Sequence, residues 1–231
     1  MAESTEVSYF DLRVVHDHFE RALIEDDDID IKAYLDAYNE LNKFFQLMGS
    51  VFSFVSSDLK QKIDILSEKV KTDGDNYTTI KSMISYEKQR KILKSDSSNG
   101  ARTLLRLHRG LDFIREFMQR LGDLTDAEKT SSCCQEAYGK TLAKHHPWVV
   151  RTAAVVAMYT LPTREALLKK VCGEHVQRNV DILPKMLEPP DSRKCFTQHL
   201  LTLRCSVFAC LRETTPVHSE TTYASDTSST T

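Results

Sequence analysis

The chain has 231 residues, of which 28% are charged and 41% hydrophobic, with a formal net charge of -2. This is the composition of a water-soluble domain large enough to bury a core without metals or disulfides, and its near-neutral balance argues against a general polyanion binder and so against nucleic acid as a partner. Only 7 Gly and 6 Pro are present, too few turn residues for a many-stranded sandwich or barrel.

Helical spacing dominates the chain. Leu12, Val15, Phe19 and Leu23 predict a first helix over 10–24. The acidic run Glu25 to Asp30 reads as a linker or a helix start. Ile31, Tyr34, Leu35, Tyr38, Leu41, Phe44, Phe45 and Met48 predict a helix over 31–48, interrupted by Gly49. A third helix follows over 50–70, and Asp73-Gly74-Asp75 is a turn. Residues 76–94 predict another helix, closed by the polar loop Ser95 to Gly100. Leu104, Leu107, Leu111, Ile114, Phe117 and Leu121 predict a long helix over 101–121, with Gly122 as its stop. Residues 126–160 read as one or two helices, with Pro147 as a start or a kink. Shorter helices are expected over 163–171 and 176–187. The expectation is an all-α bundle.

Pro189-Pro190 breaks the pattern. Residues 189–211 form an apolar, Cys-rich segment, and 212–231 a Ser/Thr-rich tail whose composition does not support a packed core. The longest uncharged apolar-rich run, Phe44 to Ser57, is 14 residues, short of the roughly 20 that span a bilayer. The N-terminus has no basic-then-apolar leader, so a cytosolic location is expected. Cys133, Cys134, Cys172, Cys195, Cys205 and Cys210 form no CxxC pair, and a reducing compartment keeps them as thiols.

Three stripes carry the chemistry. Asp58 and Lys62 are four apart and share a face with Phe54 and Val51. Arg102 and Arg106 are four apart and share a face with Arg109 or Gly110, then Phe113. A third face starts at His146 and continues through Val150, Ala153, Ala154 and Ala157. Singly, each has a plainer reading: a surface ion pair, solvated arginines, a helix-start histidine and a close helix contact. Together they describe a cavity with a cationic mouth and an apolar interior, suited to an anionic head group on hydrocarbon chains. Guanidinium forks match phosphate geometry. An Asp in that cluster can hold a lysine or accept an amide or hydroxyl proton. Residues 88–110 are locally basic, which reads either as a solvated face or as a face for an acidic membrane surface. Cys133-Cys134 with His145-His146 lacks a metal-ligand spacing. No P-loop, G-x-S-x-G or GxGxxG motif occurs, so neither cofactor nor catalytic residues are expected.

The segments YNELNKFFQLMGSVFSFVSSDLKQKI (38–63), GARTLLRLHRGLDFIREF (100–117) and HHPWVVRTAAVVAMYTLPTREALL (145–168) resemble the glycolipid transfer protein superfamily. The resemblance runs over residues 8–188 and implies a two-layer all-α fold around an apolar lipid pocket. It implies a monomeric carrier that moves single sphingolipids between membranes without cleaving them. By that likeness Asp58 binds the ceramide amide with His146 assisting, and Lys62, Arg102 and Arg106 hold a phosphate. Glycolipid-carrying members have a sugar-stacking Trp where this chain has Arg106, and Asn where it has Lys62, so ceramide 1-phosphate is the ligand expected. Trp148 resembles the family's membrane-docking tryptophan, although a core role remains open for an isolated Trp. The resemblance also implies transient contact with Golgi, endosomal and plasma membranes. Rival readings are a glycosphingolipid carrier and a helical adaptor that binds protein instead of lipid. The family's helical ending is not matched after Glu188.

Overall fold

The computed structural model describes residues 8–25, 28–95 and 98–187; the segments 189–211 and 212–231 lie outside them. Its helices are α1 (Leu12–Ala22), α2 (Ile31–Met48), α3 (Ser53–Thr72), α4 (Gly74–Tyr77), α5 (Ile80–Gln89), α6 (Ile92–Ser95), α7 (Gly100–Asp123), α8 (Thr130–Lys140), α9 (Trp148–Tyr159), α10 (Arg164–Cys172) and α11 (Val176–Leu187). The all-α expectation holds over the described residues, apart from one two-residue antiparallel pairing of Leu23–Ile24 with Asp28–Ile29.

Side-chain caps set the helix starts. Asp11 Oδ1 accepts the Arg13 amide, Asp30 Oδ1 the Ala33 amide and Asn99 Oδ1 the Arg102 amide. Each satisfies a donor that the first turn leaves unpaired. Thr79 and Ser82 form a reciprocal capping box, which begins α5 inside the stretch 76–94 that periodicity reads as a single helix. Gly49 ends α2 with a φ of 118°, a backbone state that costs glycine little. Lys170 Nζ donates to the Met48 carbonyl at 3.0 Å and closes the same end.

One further boundary differs from the sequence reading, and one choice that it left open is decided. Gly122 does not stop α7, which runs on to Asp123; a glycine stop requires a positive φ, and Gly122 does not adopt one. The stretch 126–160 is two helices, parted by a single turn of 3-10 helix at Ala143–His145, and Pro147 caps the second.

Phe19, Tyr34, Tyr38, Ile63, Leu66, Leu104 and Phe117 are all but inaccessible to solvent and form the centre of one core. α2 packs on α1, α3 and α10; α7 packs on α3, α5, α8 and α11; α9 packs on α8. The Tyr34 and Tyr38 rings meet at a tilt in that centre, with centroids 4.9 Å apart, and the Tyr38 hydroxyl donates to the Leu107 carbonyl at 2.9 Å, tying α2 to α7. The consequence for the site is that α2, α3, α7, α8 and α9 are held as one frame.

Candidate functional site: an apolar cavity with a charged edge

That frame encloses a cavity of about 370 Å³, at the lower end of the roughly 300–1,000 Å³ usual for ligand sites. α2 supplies Tyr38, Phe45 and Met48, and α7 supplies Gly110, Phe113, Ile114 and Phe117. Phe52, Val55 and Leu59 close a third side, and Cys134, Leu142, Val150, Ala154 and Met158 the fourth. Phe113 and Phe117 lie parallel with ring centroids 6.0 Å apart. The expected small-residue face of α9 is partly correct: Val150 and Ala154 line the cavity and Ala157 is buried, whereas Ala153 faces solvent. An added Cβ on Gly110 would meet no atom within 4 Å, so the missing side chain there leaves open space.

Asp58 and His146 bring ionisable groups to this lining. Lys62 Nζ donates to Asp58 Oδ1 at 2.5 Å and to the Asp58 carbonyl at 3.3 Å. The pair is unequal: the Lys62 side chain is 14% exposed and that of Asp58 66%. The ammonium is thus drawn inward by its stem while the carboxylate faces outward. His146 Nδ1 lies 2.8 Å from the Tyr138 hydroxyl. Burial lowers the His146 pKa; Asp58 pulls it up and Lys62 down by smaller amounts. The imidazole is therefore neutral at pH 7.

Asp58, Lys62 and His146 are thus brought together. Arg102, half-buried, and Arg106, exposed, stand one turn apart near the start of α7. Helical spacing sets them on the stripe that continues to Gly110 and Phe113 in the cavity wall. Arg109 sits in the same cationic stretch; burial, then the nearby Arg106 charge, lowers its pKa.

Trp148 opens α9 and is 70% exposed, which removes the core alternative for it. Val149 beside it is also exposed, as are Val51 and Phe54, and Phe54 belongs to the cavity lining as well. Among the described residues Cys133, Cys134, His145 and His146 do not gather as a group that could hold a metal ion; Cys133 and Cys134 are buried in α8, and the Cys133 thiol donates to the Thr130 carbonyl. Among the described residues no helix is long and apolar enough to cross a membrane.

The profile described as glycolipid transfer protein matches residues 29–173. The chain belongs to the glycolipid transfer protein family. Within that family it is similar to the ceramide-1-phosphate transfer protein of Danio rerio, with 40% identity over 175 residues that cover 73% of this chain and 83% of that protein. The Homo sapiens protein of the same name is 33% identical over 185 residues, covering 77% and 86%. Among solved structures, apo mouse ceramide-1-phosphate transfer protein superposes with a TM-score of 0.77 at 32% identity, covering 87% of this chain and 96% of that one. The human protein in complex with 2:0 ceramide 1-phosphate gives 0.67 at 27%, covering 89% and 95%. The two-layer helical type implied by the sequence is therefore the fold of this chain. Lipid transfer is the activity that the family's name describes.

One residue at the site escaped the sequence reading. Tyr138 lines the cavity and contacts His146 from eight residues away. Its spacing from His146 crosses a loop, so no helical periodicity links the two.

Proposed function

We propose that this chain carries ceramide 1-phosphate between membranes without cleaving it. The observation that carries the reading is the joining of an apolar cavity to the Asp58–Lys62–His146 group at its edge, on a frame whose neighbouring helix presents Arg102 and Arg106. The names and the bound lipid of the relatives support the same ligand. In this reading the hydrocarbon chains enter the cavity, where burial of apolar surface is worth about 25 cal/mol per Å². Asp58, an acceptor only, takes the ceramide amide N–H, and His146 takes a second polar group of the ceramide. Lys62, Arg102 and Arg106 hold the phosphate through charge-assisted hydrogen bonds.

Trp148 docks the monomer on acidic phospholipid surfaces, because an exposed indole at a helix start suits the membrane interface. The protein then works from the cytosol and visits Golgi, endosomal and plasma membranes.

Lipid extraction and mass spectrometry of the purified protein, paired with a vesicle transfer assay, test the reading. Ceramide 1-phosphate in the extract and its transfer between vesicles are expected. A glycosphingolipid in the extract would overturn the head-group assignment. A protein that neither retains nor transfers lipid would favour the adaptor reading.

A further inference from the structure

The contact between Tyr138 and His146 admits two proton arrangements. Either the phenol donates to Nδ1, leaving the ring proton on Nε2, or Nδ1–H donates to the phenol oxygen and Nε2 becomes an acceptor. Only the first gives the cavity a donor from this ring.

The surroundings favour the first. Tyr138 is 4% exposed and packs edge-on against Phe113 in the cavity wall. Burial raises the phenol's pKa, with Arg151 opposing more weakly, so the oxygen keeps its proton. Burial also keeps His146 neutral, with Asp58 and Lys62 of α3 as the charges that face it. A phenol is a strong donor beside a ring nitrogen that has a free lone pair, and the 2.8 Å separation is that of a well-formed bond.

We propose that Tyr138 is a positioning residue that fixes His146 as its Nε2–H tautomer, so that the imidazole donates to the amide carbonyl of the lipid. This rests on the reading that ceramide 1-phosphate is the ligand. It completes the accounting of the amide. The amide offers one donor and one acceptor; the Asp58 carboxylate can only accept and so takes the N–H. The carbonyl then needs a donor from a second residue. A carboxylate beside the wrong tautomer would leave that carbonyl unsatisfied in an apolar cavity, which is costly.

The test is Tyr138→Phe, which keeps the ring and its packing. Nitrogen-15 histidine NMR of the lipid-free protein reads the tautomer directly, with His146→Ala assigning the resonance. The parent is expected to show Nε2–H predominating, and Tyr138→Phe a mixture of tautomers. Binding of short-chain ceramide 1-phosphate is expected to weaken roughly three- to tenfold, the scale of one net hydrogen bond. In a His146→Ala background Tyr138→Phe is expected to change affinity no further. An unchanged tautomer ratio in Tyr138→Phe, or an undiminished effect in the His146→Ala background, would overturn the proposal. Failure of the parent to bind the lipid would sink the ligand reading instead, since the tautomer is measured without lipid.

Discussion

The Glu87 carboxylate accepts the Gly100 amide at 2.5 Å and anchors the helix that carries Arg102 and Arg106. It also accepts the Ala101 amide at 3.0 Å and the Tyr77 hydroxyl at 3.0 Å. A negative charge at a helix start is favourable there, and this one is fully buried. Gly100 fits beneath it only because it lacks a Cβ, which would lie 2.4 Å from Met83 Sδ. Glu87→Ala removes the acceptor of three donors. Denaturant unfolding is expected to show a loss of about 2–4 kcal/mol; a loss below about 1 kcal/mol would mean that the anchor is dispensable.

Arg106→Leu tests the head-group assignment. A charge-assisted bond to phosphate is worth about 1.5–3 kcal/mol, so ceramide 1-phosphate transfer should fall roughly tenfold or more with the melting temperature unchanged. Equal transfer by parent and variant in a vesicle assay would remove Arg106 from the site.

Gly110→Leu separates the cavity from the fold. Glycine is about 0.8–1 kcal/mol poorer than alanine in a helix, and leucine ranks close to alanine; at this position an added Cβ meets open space. The variant should melt no lower than the parent yet lose lipid uptake, as measured by retained lipid after extraction. Full uptake would show that the chains lie elsewhere.

Trp148 is the only tryptophan, so its fluorescence reports one position. Adding phosphatidylserine vesicles should shift the emission to the blue and Trp148→Ala should weaken vesicle binding. A constant spectrum while the protein sediments with vesicles would move the docking face away from α9.

Glu116 joins α7 to α8, accepting Lys140 Nζ at 2.9 and 3.0 Å and Arg120 Nε at 2.9 Å. Burial alone would raise its pKa, but the bonds and charges of Lys140 and Arg120 outweigh burial and lower it below the ordinary 4.5. A carboxyl with a depressed folded-state pKa stabilises the fold above its unfolded value, and that stability fades as pH falls through the folded value. Glu116→Gln should therefore lose stability at pH 7 and show a flatter decline below about pH 4.5. Parallel pH–stability curves for parent and variant would show that the pair is energetically neutral.

Much of this was legible in the sequence because helices announce themselves by period: 31–48 and 176–187 coincide with α2 and α11. Asp58 and Lys62 were legible for the same reason, being one turn apart on a helix. The start of α5 was not, because its capping box depends on how Thr79 and Ser82 fold back on each other. Gly122 misled because a glycine near a helix end matters only through its φ. Tyr138 was invisible because its partner lies across the loop that separates α8 from α9. The volume of the cavity depends on how five elements meet, which no local pattern encodes.

In the Asp58–Lys62 pair each of the two charges already has the other as its partner. On the proposed binding mode, a phosphate draws the ammonium away and bares the carboxylate just as an amide N–H arrives for it. A lipid with a phosphate but no amide strands the carboxylate, and one with an amide but no phosphate must compete with the ammonium. On that mode the pair behaves as an interlock that yields only when both features come on one molecule.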